Sequence, residues 1–462
     1  MATPTSITIN RSTLVKPAKR TWSGRMSLSE WDMIGAITHV PTVYFYKSTS
    51  STSHPNLLDH LKDSLARTLV TFYPLAGRLE PVGGGRFDLD CNGLGVRFIE
   101  AEARTTSLDE LGGDEDLSSC TDFQPLIPEV DYTRPFGEWP LLLVQVTKFR
   151  CGGIGLGFNI SHAVVDGLSA LHFFNEWARV ARGKGIGMVP FLDRKVLRAG
   201  QPAVSRHPRF DPAEFQRPPV LLPEAGCSNN KGNKPHYETK VAKLKMTKTK
   251  VQMLKDMANE TTFDHRPYST YETLTAHIWR CACKARKLKP EQLTSVGVCV
   301  DSRRRMNPPL PNAYFGNAVL DIKAVSRSAD LITKPLGYAA GKIRRAVEKA
   351  DGEFLTSAID YLKNQPDLTE FQDFHDGEEE DDDEGPFFGM PNLGVISWLR
   401  LPLLGLDFGF GKEVYMGSTH EFDGDTMLLQ SQDGDGSIVL AICLRVDHME
   451  AFKRCFYDDI IV

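Results

Sequence analysis

The clearest regular pattern of hydrophobic and polar positions lies in the second quarter of the chain. Large apolar residues occupy every second position between Gly152 and Ser161: Ile154, Leu156, Phe158 and Ile160. This period of two predicts a half-buried β-strand, and the intervening glycines indicate close approach of another backbone or a ligand. Apolar residues then recur at helical spacing: Leu168, Leu171, Phe174, Ala178 and Ala181. His162 therefore lies at the predicted junction of a strand and a helix.

Similar patterns predict strands and helices along the rest of the chain. In the first half they predict a strand from His39 to Tyr46, a helix after Asn56, short strands between Gly83 and Phe98, and a strand from Pro140 to Lys148. In the second half, strands are predicted at residues 296–300, 318–322 and 437–446, and helices at residues 337–349 and 449–457. The fold is therefore predicted to be α/β in both halves.

Regular periodicity disappears between the two halves. Residues 189–234 are rich in proline, glycine and basic residues, which is typical of a long connection between domains. A chain of 462 residues also exceeds the usual size of a single hydrophobic core. We therefore expect an N-terminal domain at residues 1–188, a crossover linker at 189–234 and a C-terminal domain at 235–462.

The amino-acid composition indicates which classes of protein this chain does not resemble. With 41% hydrophobic and 24% charged residues and a net charge of -5, the chain is typical of a soluble globular protein and is a poor match for a nucleic-acid-binding protein. No apolar run is long enough to span a membrane, and the first residues lack the apolar core of a signal peptide, so a cytoplasmic location is expected. The 9 cysteines are scattered, and the C-x-C pair Cys281 and Cys283 has no second pair at zinc-ligand spacing, so no metal site is expected.

Two segments share the spacing H-x-x-x-D, and their contexts differ. His207 and Asp211 lie in the proline-rich linker, whereas His162 and Asp166 lie between a predicted strand and a predicted helix. A catalytic group needs a rigid frame, so His162 is the better candidate for a general base. A core histidine with satisfied hydrogen bonds is the alternative.

Further motifs accompany His162. The segment SHAVVDG at residues 161–167 is joined by DFGFGK at 407–412, LSEWD at 28–32, FYPLAGRL at 72–79, YFGN at 314–317 and PNLGVISW at 391–398. Together they resemble the plant BAHD acyl-CoA-dependent acyltransferases over nearly the whole chain. The resemblance implies two similar chloramphenicol-acetyltransferase-like domains, each a mixed β-sheet flanked by helices, with a channel between them. It also implies acyl-CoA as co-substrate, no permanently bound cofactor, and a monomer.

The resemblance assigns roles to several residues. His162 is expected to be the general base, and no cysteine has an obvious partner base, which favours direct transfer. Asp166 is tempting as a residue that orients the imidazole, but in the family it pairs with an arginine, for which the candidates are Arg303, Arg304 and Arg305. Trp398 is a candidate hydrogen-bond donor near the acyl group, and Ile396 stands where the shikimate-specific relatives have a threonine.

The motif at residues 407–412 is expected to be structural, since Asp407 can pair locally while Gly409 and Gly411 allow a tight turn. CoA contacts are expected from three residues at a predicted helix start: Arg266, Ser269 and Thr270. Plain helix capping by Ser269, with Glu272 completing a capping box, is the alternative.

The acceptor is suggested by the charge of one segment. Shikimate-specific relatives carry an arginine upstream of the PNLG segment, whereas residues 369–384 here contain no arginine or lysine and many acids, including EEEDDDE at 378–384. A cationic polyamine such as spermidine is therefore the favoured acceptor, with a hydroxycinnamoyl-CoA donor. Residues that match acceptor-pocket positions of the relatives are His39, Thr42 and Tyr44. A shikimate- or quinate-like alcohol acceptor and an inactive binding protein are the alternatives.

Overall fold

The computed structural model describes residues 7–49, 55–111, 123–207, 209–210, 215–216, 218–221, 237–260, 266–373, 389–418 and 422–460. Within these ranges the strands are β1 (Thr8–Val15), β2 (Arg25–Ser27), β3 (Gly35–Ala36), β4 (His39–Tyr46), β5 (Arg78–Gly83), β6 (Arg86–Asp90), β7 (Val96–Ala103), β8 (Leu142–Phe149), β9 (Ile154–Ser161), β10 (Thr239–Met246), β11 (Leu293–Asp301), β12 (Val319–Arg327), β13 (Gln372–Asp373), β14 (Leu393–Ser397), β15 (Tyr415–Ser418), β16 (Asp425–Gln430) and β17 (Ile438–Arg445). The α-helices are α1 (Leu57–Thr68), α2 (Gly167–Ala181), α3 (Lys248–Asn259), α4 (Thr270–Ala285), α5 (Ser328–Thr333), α6 (Leu336–Lys349), α7 (Gly352–Lys363) and α8 (Val446–Asp458).

A six-stranded mixed sheet organises the first half, in the order β1-β7-β8-β9-β4-β15. The pair β7 and β8 is parallel and the other neighbours are antiparallel. Helices α1 and α2 pack together and cover one face, where Phe158 of β9 stacks on Phe174 of α2. The other face holds a second apolar cluster around Phe45 and Phe123. The central strand β9 is thus buried on both sides, so the prediction of a half-buried strand is wrong. Its large apolar residues face the helices, while its glycines face the second cluster, where a Cβ at Gly157 would fall 2.0 Å from the Leu126 carbonyl oxygen.

A second six-stranded mixed sheet organises the other half, in the order β10-β17-β16-β14-β11-β12. Here β14 is parallel to both of its neighbours, β16 and β11. Helices α3, α4, α6 and α8 pack against one another and against this sheet, and α4 is held centrally by buried residues such as Trp279. The α/β architecture with two mixed, helix-flanked sheets that the motifs imply is confirmed.

Strand β15 joins the two halves of the chain. It belongs to the C-terminal half by sequence, but it pairs with β4 and forms the outer edge of the first sheet, with Met416 opposite Tyr44. The crossover segment also contacts both halves, since the backbone of Phe191 bonds to Ala313 and Phe315, and Arg194 donates to the Val164 carbonyl oxygen. The domain boundaries expected from the sequence remain a prediction, and β15 shows that sheet membership does not follow them strictly.

Most predicted elements are present with shifted ends. The predicted strand His39–Tyr46 coincides with β4, and the capping box at Ser269 opens α4 as expected. No described helix has the length and hydropathy needed to cross a membrane. The acidic run at residues 378–384 lies outside the described residues.

Candidate active site

His162 lies at the first position after β9, where the strand turns toward α2. Its backbone N–H donates to the Thr38 carbonyl oxygen at 2.8 Å, and its own carbonyl oxygen accepts from Asn317 Nδ2 at 2.6 Å. The residue is half-buried. Both main-chain groups are therefore anchored to other elements, so the position of the imidazole is set by backbone contacts from each half of the chain.

Asp166 caps α2 and is engaged by groups other than the imidazole. Its carboxylate accepts from the Arg303 guanidinium at 2.7 and 2.8 Å and from the backbone amides of Ser169 and Ala318, each at 3.0 Å. Burial alone would raise the pKa of Asp166, but the Arg303 charge and these hydrogen bonds outweigh it and lower the pKa below its ordinary value. The expected pairing with an arginine is thus present, with Arg303 as the partner.

A second buried ion pair supports the loop that carries His162. Arg194, from the crossover segment, pairs with Asp32 and donates to the Val164 carbonyl oxygen at 2.7 Å. Asp32 also accepts from the backbone N–H of Asn317 at 2.9 Å. Residues of the motifs LSEWD and YFGN therefore hold the loop that carries His162. Sequence reasoning treated these motifs as landmarks only, and it missed Arg194, which no local pattern singles out.

The second sheet presents a row of three half-buried side chains: Ile396 on β14, Cys299 on β11 and Asp321 on β12. Cys299 lies opposite Asp321 in the antiparallel pair, and the parallel register that pairs Val298 with Val395 sets Ile396 beside Cys299. His162 acts electrostatically on Asp321, so this row lies near the imidazole. Sequence reasoning found Ile396 but missed the other two.

Trp398 directly follows β14 and is half-buried. Its backbone N–H donates to the Leu428 carbonyl oxygen at 2.9 Å, which ties it to the neighbouring strand β16. It lies two residues beyond Ile396 along the chain. Its assignment as a hydrogen-bond donor to the acyl group remains a prediction.

The three candidate acceptor-pocket residues on β4 do not share one face. His39 is buried, and its ring nitrogens contact the Tyr132 hydroxyl at 3.0 Å and the Pro140 carbonyl oxygen at 2.9 Å. Burial lowers the pKa of His39 to about 4, although the Pro140 contact opposes this. Thr42 lies on the other face and, among the described residues, its buried hydroxyl has no hydrogen-bond partner. Tyr44 shares that face and packs against Phe158.

The candidate CoA contacts lie at the start of α4. The Ser269 hydroxyl accepts from the Glu272 N–H at 3.2 Å, and the Glu272 carboxylate accepts from the Ser269 N–H at 2.7 Å, which completes the capping box. Thr270 is the first residue of the helix, and the exposed Arg266 pairs with Glu348 at 2.8 Å. The structure brings these three candidates together, and their contact with CoA remains a prediction.

The motif at residues 407–412 forms a tight turn. The Asp407 carboxylate accepts from the backbone amides of Gly409 at 2.7 Å and Gly411 at 3.0 Å, and both glycines have positive φ. Arg182, at the end of α2, donates to the Asp407 carbonyl oxygen. These contacts agree with the structural role expected for the motif. In the described part of the chain, no group of three or more His, Cys, Asp or Glu side chains is placed to hold a metal ion.

The fold of two mixed, helix-flanked sheets, together with the family match, defines an acyltransferase of the kind that the sequence motifs resemble. The model of the Transferase family matches residues 5–459, and the chain belongs to this family. It is 40% identical to hydroxycinnamoyl-CoA:piscidic acid hydroxycinnamoyltransferase from Actaea racemosa, covering 98% of this chain and 100% of that one. It is 38% identical to shikimate O-hydroxycinnamoyltransferase from Nicotiana tabacum, with 98% and 99% covered.

An Avena sativa relative, a hydroxycinnamoyl-CoA:5-hydroxyanthranilate N-hydroxycinnamoyltransferase, is also 38% identical, with 98% and 99% covered. Solved structures support the fold. Vinorine synthase superposes with a TM-score of 0.68 at 21% identity, covering 96% of both chains. F. graminearum TRI101 in complex with coenzyme A and T-2 mycotoxin superposes with a TM-score of 0.72 at 18% identity, covering 92% of this chain and 96% of that one.

Proposed function

We propose that this chain transfers a hydroxycinnamoyl group from its CoA thioester to an amine of a polyamine such as spermidine, without a covalent acyl-enzyme intermediate. The observation that carries the chemistry is the placement of His162. It is a half-buried imidazole at the end of a central strand, with its backbone fixed by Thr38 and Asn317 and with Asp166 engaged elsewhere. A base in this setting is held in position by its main chain, without a hydrogen bond to Asp166.

One base, His162, is sufficient for every proton transfer in the proposed reaction. A neutral acceptor amine attacks the thioester carbonyl carbon while His162 removes its proton, so that a C–N bond forms. The tetrahedral intermediate then collapses, the C–S bond breaks, and the imidazolium returns the proton to the leaving CoA sulfur. Trp398, two residues beyond Ile396, is our candidate donor to the oxyanion. Because Ile396 offers no hydroxyl, this site has one donor fewer than its threonine-bearing relatives.

The cysteines of the described residues do not offer an activated nucleophile. His277 and Cys281 approach each other within α4, but both are buried in the core, and burial lowers the pKa of His277 to about 4 and raises that of the Cys281 thiol. Cys299 lies opposite Asp321 in the second sheet, and burial and the Asp321 carboxylate raise the pKa of its thiol well above the ordinary value. Direct transfer is therefore the better proposal.

The proposal of an amine acceptor rests on the charge of residues 369–384. Residues 369–384 contain no arginine or lysine that could bind an acceptor carboxylate, and they carry a strong acidic excess that attracts polycations. The relative from Avena sativa is named as an N-hydroxycinnamoyltransferase, so amine acceptors occur among similar sequences. The orphan Thr42 hydroxyl is available to an acceptor polar group.

An alcohol acceptor is the second candidate. The relative from Nicotiana tabacum is named as a shikimate O-hydroxycinnamoyltransferase and is 38% identical over 98% of this chain. His162 serves equally as base toward a hydroxyl group. The two candidates differ in the charge of the acceptor, because shikimate carries a carboxylate and spermidine carries ammonium groups.

The deciding experiment is an acceptor panel. The purified protein is incubated with coumaroyl-CoA and either spermidine or shikimate, and the release of free CoA thiol is followed against a blank without acceptor. Thiol release with spermidine, together with an amide product in mass spectrometry, supports the proposal. Transfer to shikimate alone contradicts the polyamine acceptor, and no transfer to any acceptor favours an inactive binding protein.

A further inference from the structure

The row formed by Ile396, Cys299 and Asp321 on the second sheet differs from the rest of that sheet. Alternate residues on the same strands, such as Val298, Leu320 and Ile322, are buried against the helices. The row itself is half-buried, although it crosses three adjoining strands in the middle and at the edge of the sheet. These three side chains therefore form a partly exposed strip on the face of the sheet opposite the helices.

Asp321 is the acidic member of the row, and its contacts are unusual for a carboxylate. It accepts a hydrogen bond from the Cys299 thiol, and it lies within electrostatic range of His162. Among the residues that the structure describes, no lysine or arginine forms an ion pair with Asp321. Lys323, two positions along the same face of β12, donates instead to the Gln216 carbonyl oxygen. The carboxylate is thus held in place by a thiol and lacks a protein cation.

A carboxylate in this position is costly without a positive partner. Burial raises the pKa of Asp321, which means that the surroundings disfavour its charge. The Cys299 hydrogen bond and the proximity of His162 oppose this effect but do not outweigh it. A buried charge is normally paired. An ammonium group of a bound acceptor would supply the missing positive charge, whereas an acceptor carboxylate would be repelled.

We infer that Asp321 binds an ammonium group of the acceptor, while another amine of the same molecule meets His162. Cys299 orients the Asp321 carboxylate, and Ile396 provides an apolar contact for the methylene chain between the amines. This inference rests on the proposed polyamine acceptor and assigns its recognition to a residue on β12, far in sequence from the acidic segment at 369–384.

The test is the substitution Asp321→Asn, which keeps the shape and removes the charge. With coumaroyl-CoA at saturation, the KM for spermidine should rise about 10- to 100-fold, as expected for loss of a hydrogen bond to a charged group. The KM for coumaroyl-CoA should not change. The matched control is Asp330→Asn, which removes a surface carboxylate paired with Lys334 and should leave both KM values unchanged.

The outcomes separate this inference from the proposed function. If the wild type acylates spermidine and Asp321→Asn has the same KM, the inference is wrong and the proposed function stands. If the wild type acylates no amine, the proposed function fails, and spermidine binding is then measured by calorimetry. The inference is supported if the wild type binds spermidine and Asp321→Asn does not. It is overturned if both proteins bind equally or if the wild type does not bind.

A merely structural role for Asp321 gives a different result. It would lower the thermal midpoint of Asp321→Asn and affect both substrates together, which would also overturn the inference. We expect the opposite at neutral pH, because the substitution removes a carboxyl whose ionisation burial disfavours. The midpoint of the variant should therefore equal or exceed that of the wild type.

Discussion

The imidazole of His162 is placed by its own backbone, through Thr38 on one side and Asn317 on the other. The neighbouring carboxylate of Asp166 is committed to Arg303. The two residues of this short loop therefore have different tasks in the proposed mechanism. Asp166 fixes where the loop lies, while His162 stays free to exchange a proton with a substrate.

The first prediction follows from this division. His162→Ala should lower turnover by at least about 10²- to 10⁴-fold, because general-base catalysis is lost, while the thermal midpoint stays near the wild-type value. Steady-state thiol release and a thermal scan measure the two effects. His207, which has the same H-x-x-x-D spacing but is exposed in the crossover segment, provides the matched control. His207→Ala should be fully active, and an active His162→Ala would refute the general base.

The second prediction concerns the ion pair. Arg303→Ala should reduce the free energy of unfolding by about 3–5 kcal/mol, because it leaves the buried Asp166 carboxylate without its cation. Arg304→Ala, at the exposed neighbouring position, should have almost no effect. Denaturant unfolding of both variants gives the comparison, and equal stabilities would argue against a structural role for the pair.

The stabilising effect of Asp166 also depends on pH. Its pKa is lower in the folded protein than the ordinary value of about 3.9, so its contribution is fully present above that value and is lost as the pH falls through the folded pKa. The stability difference between the wild type and Arg303→Ala should therefore shrink below about pH 4. A difference that stays constant into acid would contradict this.

The sequence could predict the residues of the site that lie close together along the chain. His162, Asp166 and a partner arginine were predicted because one motif contains the first two and a cluster of arginines was available. Cys299 and Asp321 could not be predicted, because they meet only through the register of β11 and β12. Period-two patterns show which residues share a face of one strand, but they do not show which strand lies opposite.

Among the elements, helix α4 follows a residue, Ser269, that has both a structural hypothesis, helix capping, and a functional one, contact with CoA. Ser269 caps the helix, and Glu272 completes the box while also pairing with Arg344 at 3.1 Å. Capping alone explains this arrangement, and a helix N-terminus is also a suitable site for CoA phosphates. Only a comparison with an ordinary cap can separate the two roles.

The third prediction makes that comparison. Ser269→Ala and Thr247→Ala each remove an N-cap, at α4 and α3 respectively, and each should cost about 1 kcal/mol of stability. If Ser269 also contacts CoA, Ser269→Ala alone should raise the KM for coumaroyl-CoA several-fold. The same KM for coumaroyl-CoA in both variants would show that Ser269 only caps the helix.

The elements that the sequence failed to reveal are short or lie at edges. β15 has four residues, which is too few for periodicity to be recognised. β10 is an edge strand whose lysines resemble those of an exposed loop. By contrast, β4 and β9 are long, apolar and central, so pattern and structure agree on where these strands lie.

In the whole molecule, β15 is the outermost strand of the first sheet and covers the edge of β4. Gly417 lies in this strand, and a Cβ at that position would fall 2.4 Å from the ring of Phe123, which is buried beneath it. The absence of a side chain at Gly417 thus allows the strand to approach the apolar cluster on the outer face of the sheet. Tyr415 of the same strand belongs to that cluster.

The fourth prediction tests this contact. Gly417→Ala should lower stability by about 1–3 kcal/mol, because the added methyl overpacks the site and either Phe123 or β15 must move. Gly185→Ala is the control, since a Cβ there meets nothing within 4 Å. Thermal scans of both variants suffice, and equal midpoints would mean that the cluster adapts without cost.

The position of β15 in the chain has a consequence for biosynthesis. The ribosome releases β4 long before it synthesises β15, so the first sheet stays incomplete until most of the protein has been made. An open sheet edge is a template for pairing with other chains, and nascent or prematurely terminated products would expose the edge of β4. Folding of the first sheet is therefore completed only late in synthesis, and chaperones that shield strand edges should bind the growing chain until residue 418 has emerged.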